Sequence, residues 1–152
     1  MIVIDASVAI KWVIDEEPAE EAMAAKSMIG RYEIAAPTLF DFEVASILWS
    51  KRRRGLLDDS DVAAVALALQ AAPIRRIADD GLWLRALTLA DSVGHPPYDC
   101  AYVVAGLLSG ASGVVTADRR FARAFELWRA PNIPDRPYVM PVTAVAQTLS
   151  VR

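Results

Sequence analysis

Short runs of branched apolar residues alternate along this chain with helix-length segments, and that alternation constrains the fold more than any other feature. Ile2-Val3-Ile4 is a continuous apolar run of the kind buried on both faces of a parallel sheet. Gly113-Val114-Val115-Thr116 repeats the pattern, Ile34-Ala35-Ala36 is a weaker version ended by Pro37, and Tyr138-Val139-Met140 is a shorter one. Between these runs lie helix signals. Ser7 is placed to cap a helix reaching Ile14, and Pro18 opens one to about Ile29 with glutamates in its first turn. Thr38 and Asp41 have capping-box spacing, opening a helix that lasts to Arg54 and is closed by Gly55. Asp58 to Ala71 and Asp80 to Val93 read as two more helices, and Tyr98 to Leu108 as another after a His95-Pro96-Pro97 turn. Arg119 to Trp128 and Val142 to Leu149 complete the helices, with a Pro-rich loop from Asn132 to Pro137. Strands separated by helices pair in parallel. The expected architecture is therefore α/β: a small parallel sheet flanked by helices on both faces, in a single domain spanning 1–152. A ligand site in such a sheet lies beyond the carboxyl ends of the strands.

With 152 residues, 55% of them hydrophobic and 23% charged, the chain has material for one core and not two. Its single cysteine, Cys100, excludes an internal disulfide and a multi-cysteine zinc site and fits a reducing, cytoplasmic setting. Asp5 breaks the apolar start, and the stretch from Ala101 to Val115 falls short of the ~20 residues a bilayer requires, so neither a signal peptide nor a membrane span is expected. A net charge of −3 speaks mildly against a nucleic-acid partner. The cations, however, are gathered at Lys51-Arg52-Arg53-Arg54, Arg75-Arg76 and Arg119-Arg120-Arg123.

Four acids fall where acids are unusual. Asp5 directly follows the first apolar run, and Asp118 lies two residues past Thr116, so both belong to the same edge of the sheet. Taken alone, Asp118 is equally an N-cap for the helix after it. Glu43 has Leu39 four residues before it and Ile47 four after, which puts it on the inward stripe of its helix. A carboxylate there must be hydrogen-bonded, metal-bound or paired, the last as an ion pair with an arginine. Asp99, near a helix start, faces Tyr102 and Val103 one turn on; its alternative is a first-turn acid favoured by the helix dipole. Asp41 is assigned to the capping box, and Asp91 with most of Asp58, Asp59, Asp61, Asp79 and Asp80 to helix ends and solvent. Four convergent carboxylates repel unless a divalent cation neutralises them. Oxygen-only ligands, with one isolated histidine, select Mg²⁺ or Mn²⁺ over zinc. An ion so held suits phosphodiester hydrolysis.

Ile2-Val3-Ile4-Asp5-Ala6-Ser7, Glu43, Tyr98-Asp99-Cys100-Ala101-Tyr102-Val103-Val104-Ala105 and Val114-Val115-Thr116-Ala117-Asp118-Arg119-Arg120-Phe121 follow one another along nearly the whole chain. In that order and spacing the chain resembles PIN-domain nucleases, and more narrowly the VapC-like toxins of bacterial and archaeal toxin–antitoxin pairs. The resemblance implies a metal-dependent endoribonuclease that cuts structured or single-stranded RNA as a homodimer. It also implies silencing by a small VapB-like antitoxin whose tail covers the acidic site. Asp5, Glu43, Asp99 and Asp118 match the family's acidic quartet. Ser7 and Thr116 match its supporting hydroxyls, with an N-cap and a strand-end hydroxyl as their plainer uses. Cys100 stands where the family more often has a small apolar residue, a matter of packing.

Arg119 and Arg120 flank Asp118 and are candidates for steering RNA, while the Lys51–Arg54 cations are expected to face water at a helix end, with contact to RNA phosphates as the alternative. His95, without a Ser or Cys partner beside it, is assigned no catalytic role. Trp12, Trp49, Trp83 and Trp128 are read as helical residues of the core or a dimer interface. An aspartyl phosphotransferase would want a second Asp where Ser7 stands, and a receiver domain a late lysine, whereas no lysine follows Lys51. No Gly-rich phosphate loop is present. The rival from another class is a non-catalytic RNA- or protein-binding module on the same fold, which has no use for four mutually repelling acids.

Overall fold

Ile2, Val3 and Ile4 are at most 1% exposed, so β1 (Ile2–Ile4) is a central strand covered on both faces. The structure is a computed structural model and describes residues 1–78 and 80–149. With β2 (Ile34–Pro37), β3 (Ile74–Ile77), β4 (Val114–Thr116) and β5 (Val139–Pro141), β1 forms one sheet in the order β3-β2-β1-β4-β5. Every neighbouring pair is parallel, with Val3 opposite Ala35 on one side and Val114 on the other. The chain winds outward from β1 to β3, then returns past β1 to continue through β4 to β5. The order reverses between β1 and β4, and a crevice opens beyond their carboxyl ends.

The helices are α1 (Ala6–Val13), α2 (Ala19–Lys26), α3 (Leu39–Arg53), α4 (Asp59–Ala71), α5 (Leu82–Val93), α6 (Pro97–Leu108), α7 (Arg119–Ala124) and α8 (Val145–Leu149). Right-handed crossovers place α1 to α4 on one face and α5 to α7 on the other. Packing agrees: α1 lies against α2, α3 and α4, whereas α6 packs on α5 and crosses β1 and β2. Gly106 lets α6 settle closely, since a Cβ there would lie 2.8 Å from the Tyr138 hydroxyl. Among the described residues no helix is long and apolar enough to cross a membrane.

The α/β sandwich is as expected from sequence, but the sheet has five strands rather than four. β3 escapes sequence reading because Arg75 and Arg76 interrupt its two isoleucines. In this edge strand the two arginines fall on opposite faces: Arg75 is exposed, while Arg76 lies 4.7 Å over the Phe40 ring and forms a bidentate pair with Asp41. That pairing also overturns the assignment of Asp41 to a capping box. Thr38 has helical dihedrals and makes no side-chain cap bond, so the box never forms. Ser7 is not an N-cap either; that place belongs to Asp5, whose carboxylate accepts the Ser7 N–H. The real capping box is Asp58 with Asp61 at the start of α4. Helix α7 stops at Ala124, so Trp128 lies beyond it, edge-on to Phe125 and Tyr138. Asp79 lies outside the described residues.

Candidate active site

The carboxyl end of β1 delivers Asp5 into the crevice. Its backbone is extended and its N–H donates to the Val115 carbonyl of β4 at 3.1 Å, which fixes it against the neighbouring strand. One carboxylate oxygen, Oδ1, accepts the Ser7 N–H at 2.7 Å and the Ser7 hydroxyl; the other accepts the Thr116 hydroxyl. Each hydroxyl is engaged again. Ser7 Oγ accepts the Ala117 N–H at 3.0 Å, and Thr116 Oγ1 accepts the Asp118 N–H at 2.8 Å. Asp5, Ser7 and Thr116 thus stitch together the ends of the two strands that flank the reversal, and the two hydroxyls hold the acid in place. Asp5 is 7% exposed, and burial pushes its carboxyl up to about 6 against the opposing pull of these hydrogen bonds.

Asp118 is both a cap and a member of the cluster. Its Oδ1 accepts the Arg120 and Phe121 N–H groups at 2.7 and 3.3 Å, starting α7. Glu43, on the second turn of α3, does not pair with an arginine; its Oε2 accepts the hydroxyl of Tyr102 from α6. Tyr102 is fully buried, and a buried phenol requires such a partner. Burial pushes Glu43 up to about 7, and the charges of Asp5 and Asp99 add to it. Asp99 sits in the first turn of α6, behind Pro97 at the helix start. Its Oδ2 lies 2.6 Å from His95 Nε2, yet desolvation and the charge of Asp118 still raise its pKa. Asp5, Glu43 and Asp99, from the end of β1, α3 and α6, therefore stand within electrostatic reach of one another, and Asp118 of the β4–α7 turn acts on Asp99.

His95, given no role from sequence, belongs here. Its ring stacks on Phe121 at 5.7 Å and meets Phe125 edge-on at 6.0 Å, so α7 holds the imidazole that holds Asp99. The signal was its spacing, four residues before Asp99 at a helix entrance. Tyr102 was legible only as an apolar neighbour of Asp99. Of the candidate cations, Arg119 is 83% exposed and 3.5 Å from Glu21, while Arg120 contributes its backbone N–H to the Asp118 cap.

Among the described residues no three His, Cys, Asp or Glu side chains stand together so that they could hold a metal ion between them. The donor set nonetheless fits a hard dication that keeps most of its water. Oε1 of Glu43, Oδ1 of Asp99 and Oδ2 of Asp118 accept no hydrogen bond from the described residues, and the raised Asp5, Glu43 and Asp99 gain from a nearby positive charge. Mg²⁺ is commonly held by one or two carboxylates plus water, so a full cage is not required.

Residues 2–126 match the family model described as PIN domain. The chain is 31% identical over 128 residues to Ribonuclease VapC3 of Pyrobaculum aerophilum, an alignment covering 82% of this chain and 94% of that one. It also superimposes on the crystal structure of PAE2754 from Pyrobaculum aerophilum with a TM-score of 0.69 and 20% identity, over 99% of this chain and 97% of the other. This second likeness is one of fold.

Proposed function

Because the chain belongs to the PIN-domain family, among its VapC-like members, we propose that it is the endoribonuclease toxin of a toxin–antitoxin pair. The observation that supports this reading is the mutual electrostatic influence of Asp5, Glu43 and Asp99, carried by three separate elements, with Asp118 acting on Asp99 and Asp5 buried at the end of β1. Asp5, Glu43, Asp99 and Asp118 would hold Mg²⁺ or Mn²⁺. Such an ion, when bound, supplies polarisation of a phosphodiester and activation of water. The chain's own residues do the rest. Ser7 and Thr116 hold the two Asp5 oxygens in place, Tyr102 fixes Glu43, and His95 fixes Asp99. Arg119, exposed beside Asp118, would meet the phosphate backbone, with Arg120 joining it from the next position.

The reading brings partners with it: an RNA substrate, a small VapB-like antitoxin, and a second copy of the chain, in a cytoplasmic setting. An exposed apolar surface supports the homodimer, since Trp83, Leu87 and Tyr98 line one cleft between α5 and α6 and Trp83 and Tyr98 are 64% and 70% exposed. The test is incubation of the purified protein with a mixed cellular RNA pool in Mg²⁺, in Mn²⁺ and in EDTA, beside Asp5→Asn and Asp99→Asn. Cleavage only by the parent protein with a dication is the expected result. Cleavage that survives EDTA or either substitution overturns the metal mechanism, and binding without cleavage of any RNA favours a binding module.

A further inference from the structure

We infer that the cleft between α1 and α3 is a phosphate-binding subsite for the RNA strand, in which Lys11 and Lys51 take a phosphodiester whose place the Glu16 carboxylate fills in the free protein. This rests on the nuclease reading and names how that site receives its substrate. The cleft measures about 570 Å³, and its lining joins Ser7 and Asp118 of the acidic site to Lys11, Lys51 and Arg54. Its size lies within the ~300–1,000 Å³ of ligand clefts, room enough for a nucleotide.

Lys11 stands one turn after Ser7 on α1, and its side chain is 7% exposed. Lysines are rarely so buried unless firmly paired. This ammonium forms two ion pairs, 3.2 Å from Glu21 Oε2 and 3.5 Å from Glu16 Oε2. An ammonium carries three donors, so Lys11 can take up a phosphate oxygen where Glu16 now stands. Glu16 bridges two cations, with one oxygen toward Lys11 and the other bonded by the Lys51 ammonium. The two non-bridging oxygens of a phosphodiester present the same pair of acceptors at the same charge. Glu16 belongs to the connection between α1 and α2, outside any helix or strand, so it can swing aside without unwinding either. Lys11 keeps Glu21 when it does. Arg54 has no ion pair among the described residues and lines the same cleft. Of the two uses open to Lys51 from sequence, facing water or meeting RNA phosphates, its pairing with Glu16 in the cleft favours the second.

A structural ion bridge and a phosphate subsite differ in the sign of one substitution. If Glu16 occupies the place of a phosphate, Glu16→Gln removes a competitor and tightens RNA binding several-fold, whereas Lys51→Gln weakens it. Binding of a 5′-labelled, mixed-sequence single-stranded RNA 20-mer is followed by fluorescence anisotropy in EDTA over a range of salt. Lys51→Gln should also flatten the log Kd against log salt slope by about 0.7, one contact on a single strand. With Mg²⁺ present, KM for RNA cleavage should fall for Glu16→Gln and rise for Lys51→Gln, with kcat changed less than KM. Because Lys11→Met would leave Glu16 and Glu21 short of a partner and so threaten folding, the paired Glu16 and Lys51 variants decide the matter. If the parent binds and cuts RNA while both variants bind it equally or both bind it more weakly, the subsite is wrong and the nuclease reading stands. If the parent neither binds nor cuts RNA, the nuclease reading itself falls, and the subsite with it.

Discussion

Replacing Asp5 by Asn should make the metal-free protein more stable above neutrality while abolishing cleavage. Asp5 ionises near 3.8 when exposed and near 6 in the fold. The folded protein therefore binds more protons than the unfolded chain between these values, and stability falls as pH rises through the window. Above pH 6 the full penalty is in place: about two pKa units, or roughly 3 kcal/mol. With Asp5 only 7% exposed, solvent screens little of it. Asn keeps the shape and removes the charge. Its Oδ1 can accept from Ser7, and its amide can donate to the Thr116 oxygen, but the charge-assisted character of three bonds is lost, at a cost of about 1 kcal/mol. The expected net gain at pH 8 is about 1–3 kcal/mol, at roughly 2–4 °C per kcal/mol for a domain of this size, and it should vanish near pH 4. Thermal unfolding of both proteins in EDTA at pH 4, 6 and 8 measures it. Adding Mg²⁺ supplies a control, since a dication should raise the parent's melting temperature and leave the variant's unmoved. A variant no more stable than its parent at pH 8, or a gap independent of pH, would refute the claim that Asp5 is held ionised at a cost to the fold.

Mg²⁺ affinity should climb from pH 5 to about 7.5 and then level off, because Asp5 (near 6) and Glu43 (near 7) must release their protons to meet the ion. Calorimetry in two buffers of different ionisation enthalpy reads the released protons, and equal affinity at pH 5 and 8 would count against the site. Thr116→Val removes the donor to Asp5 and the acceptor for the Asp118 N–H in a fully buried position, so it should cost about 1–3 kcal/mol in chemical denaturation; Thr116→Ser should restore most of that. His95→Phe keeps a ring against Phe121 and Phe125 but frees Asp99, and Mg²⁺-dependent activity should drop about tenfold or more. Far-ultraviolet dichroism and melting temperature should hardly move; a collapse of both would assign the ring to packing alone.

The sheet was legible wherever a strand is buried on both faces, because Ile2-Val3-Ile4 and Val114-Val115-Thr116 admit no other reading. It was illegible at the edge, where one face of β3 meets water and Ile-Arg-Arg-Ile carries neither an apolar run nor strict alternation. Glu43 and Asp99 could be singled out because helix register turned them inward, and each is indeed partly buried against a side chain of α6 or its approach. Their partners were not legible. Tyr102 and His95 lie 59 and 4 residues from the acids they hold, and only tertiary packing turns a tyrosine in an apolar stripe or a histidine in a turn toward a carboxylate. Asp5 shows the opposite failure. Sequence placed it at the sheet edge without hinting that it is the most deeply buried of the four, because its burial comes from β4, more than a hundred residues away.

Two of the four acids also hold the fold together, and this sets what the site can tolerate. Asp5 caps α1 and Asp118 caps α7, each by accepting backbone N–H groups through Oδ1. The cap fixes one oxygen and leaves the other outside it: Oδ2 of Asp5 reaches only the Thr116 hydroxyl, and Oδ2 of Asp118 accepts nothing from the described residues. A helix start at a strand end is therefore a compact way to build half of an acidic site, since the bond that begins the helix also sets the carboxylate's rotamer. Glu43 and Asp99 have no such anchor and need dedicated partners from elsewhere in the fold. Asp118→Ala should accordingly lose both a cap worth about 1 kcal/mol and the acid, whereas Asp118→Asn keeps the cap and loses only the charge. Comparing the two by denaturation and by RNA cleavage separates the roles. Equal stability of the two variants would mean that the Oδ1 bonds to Arg120 and Phe121 contribute nothing, and that Asp118 serves the site alone.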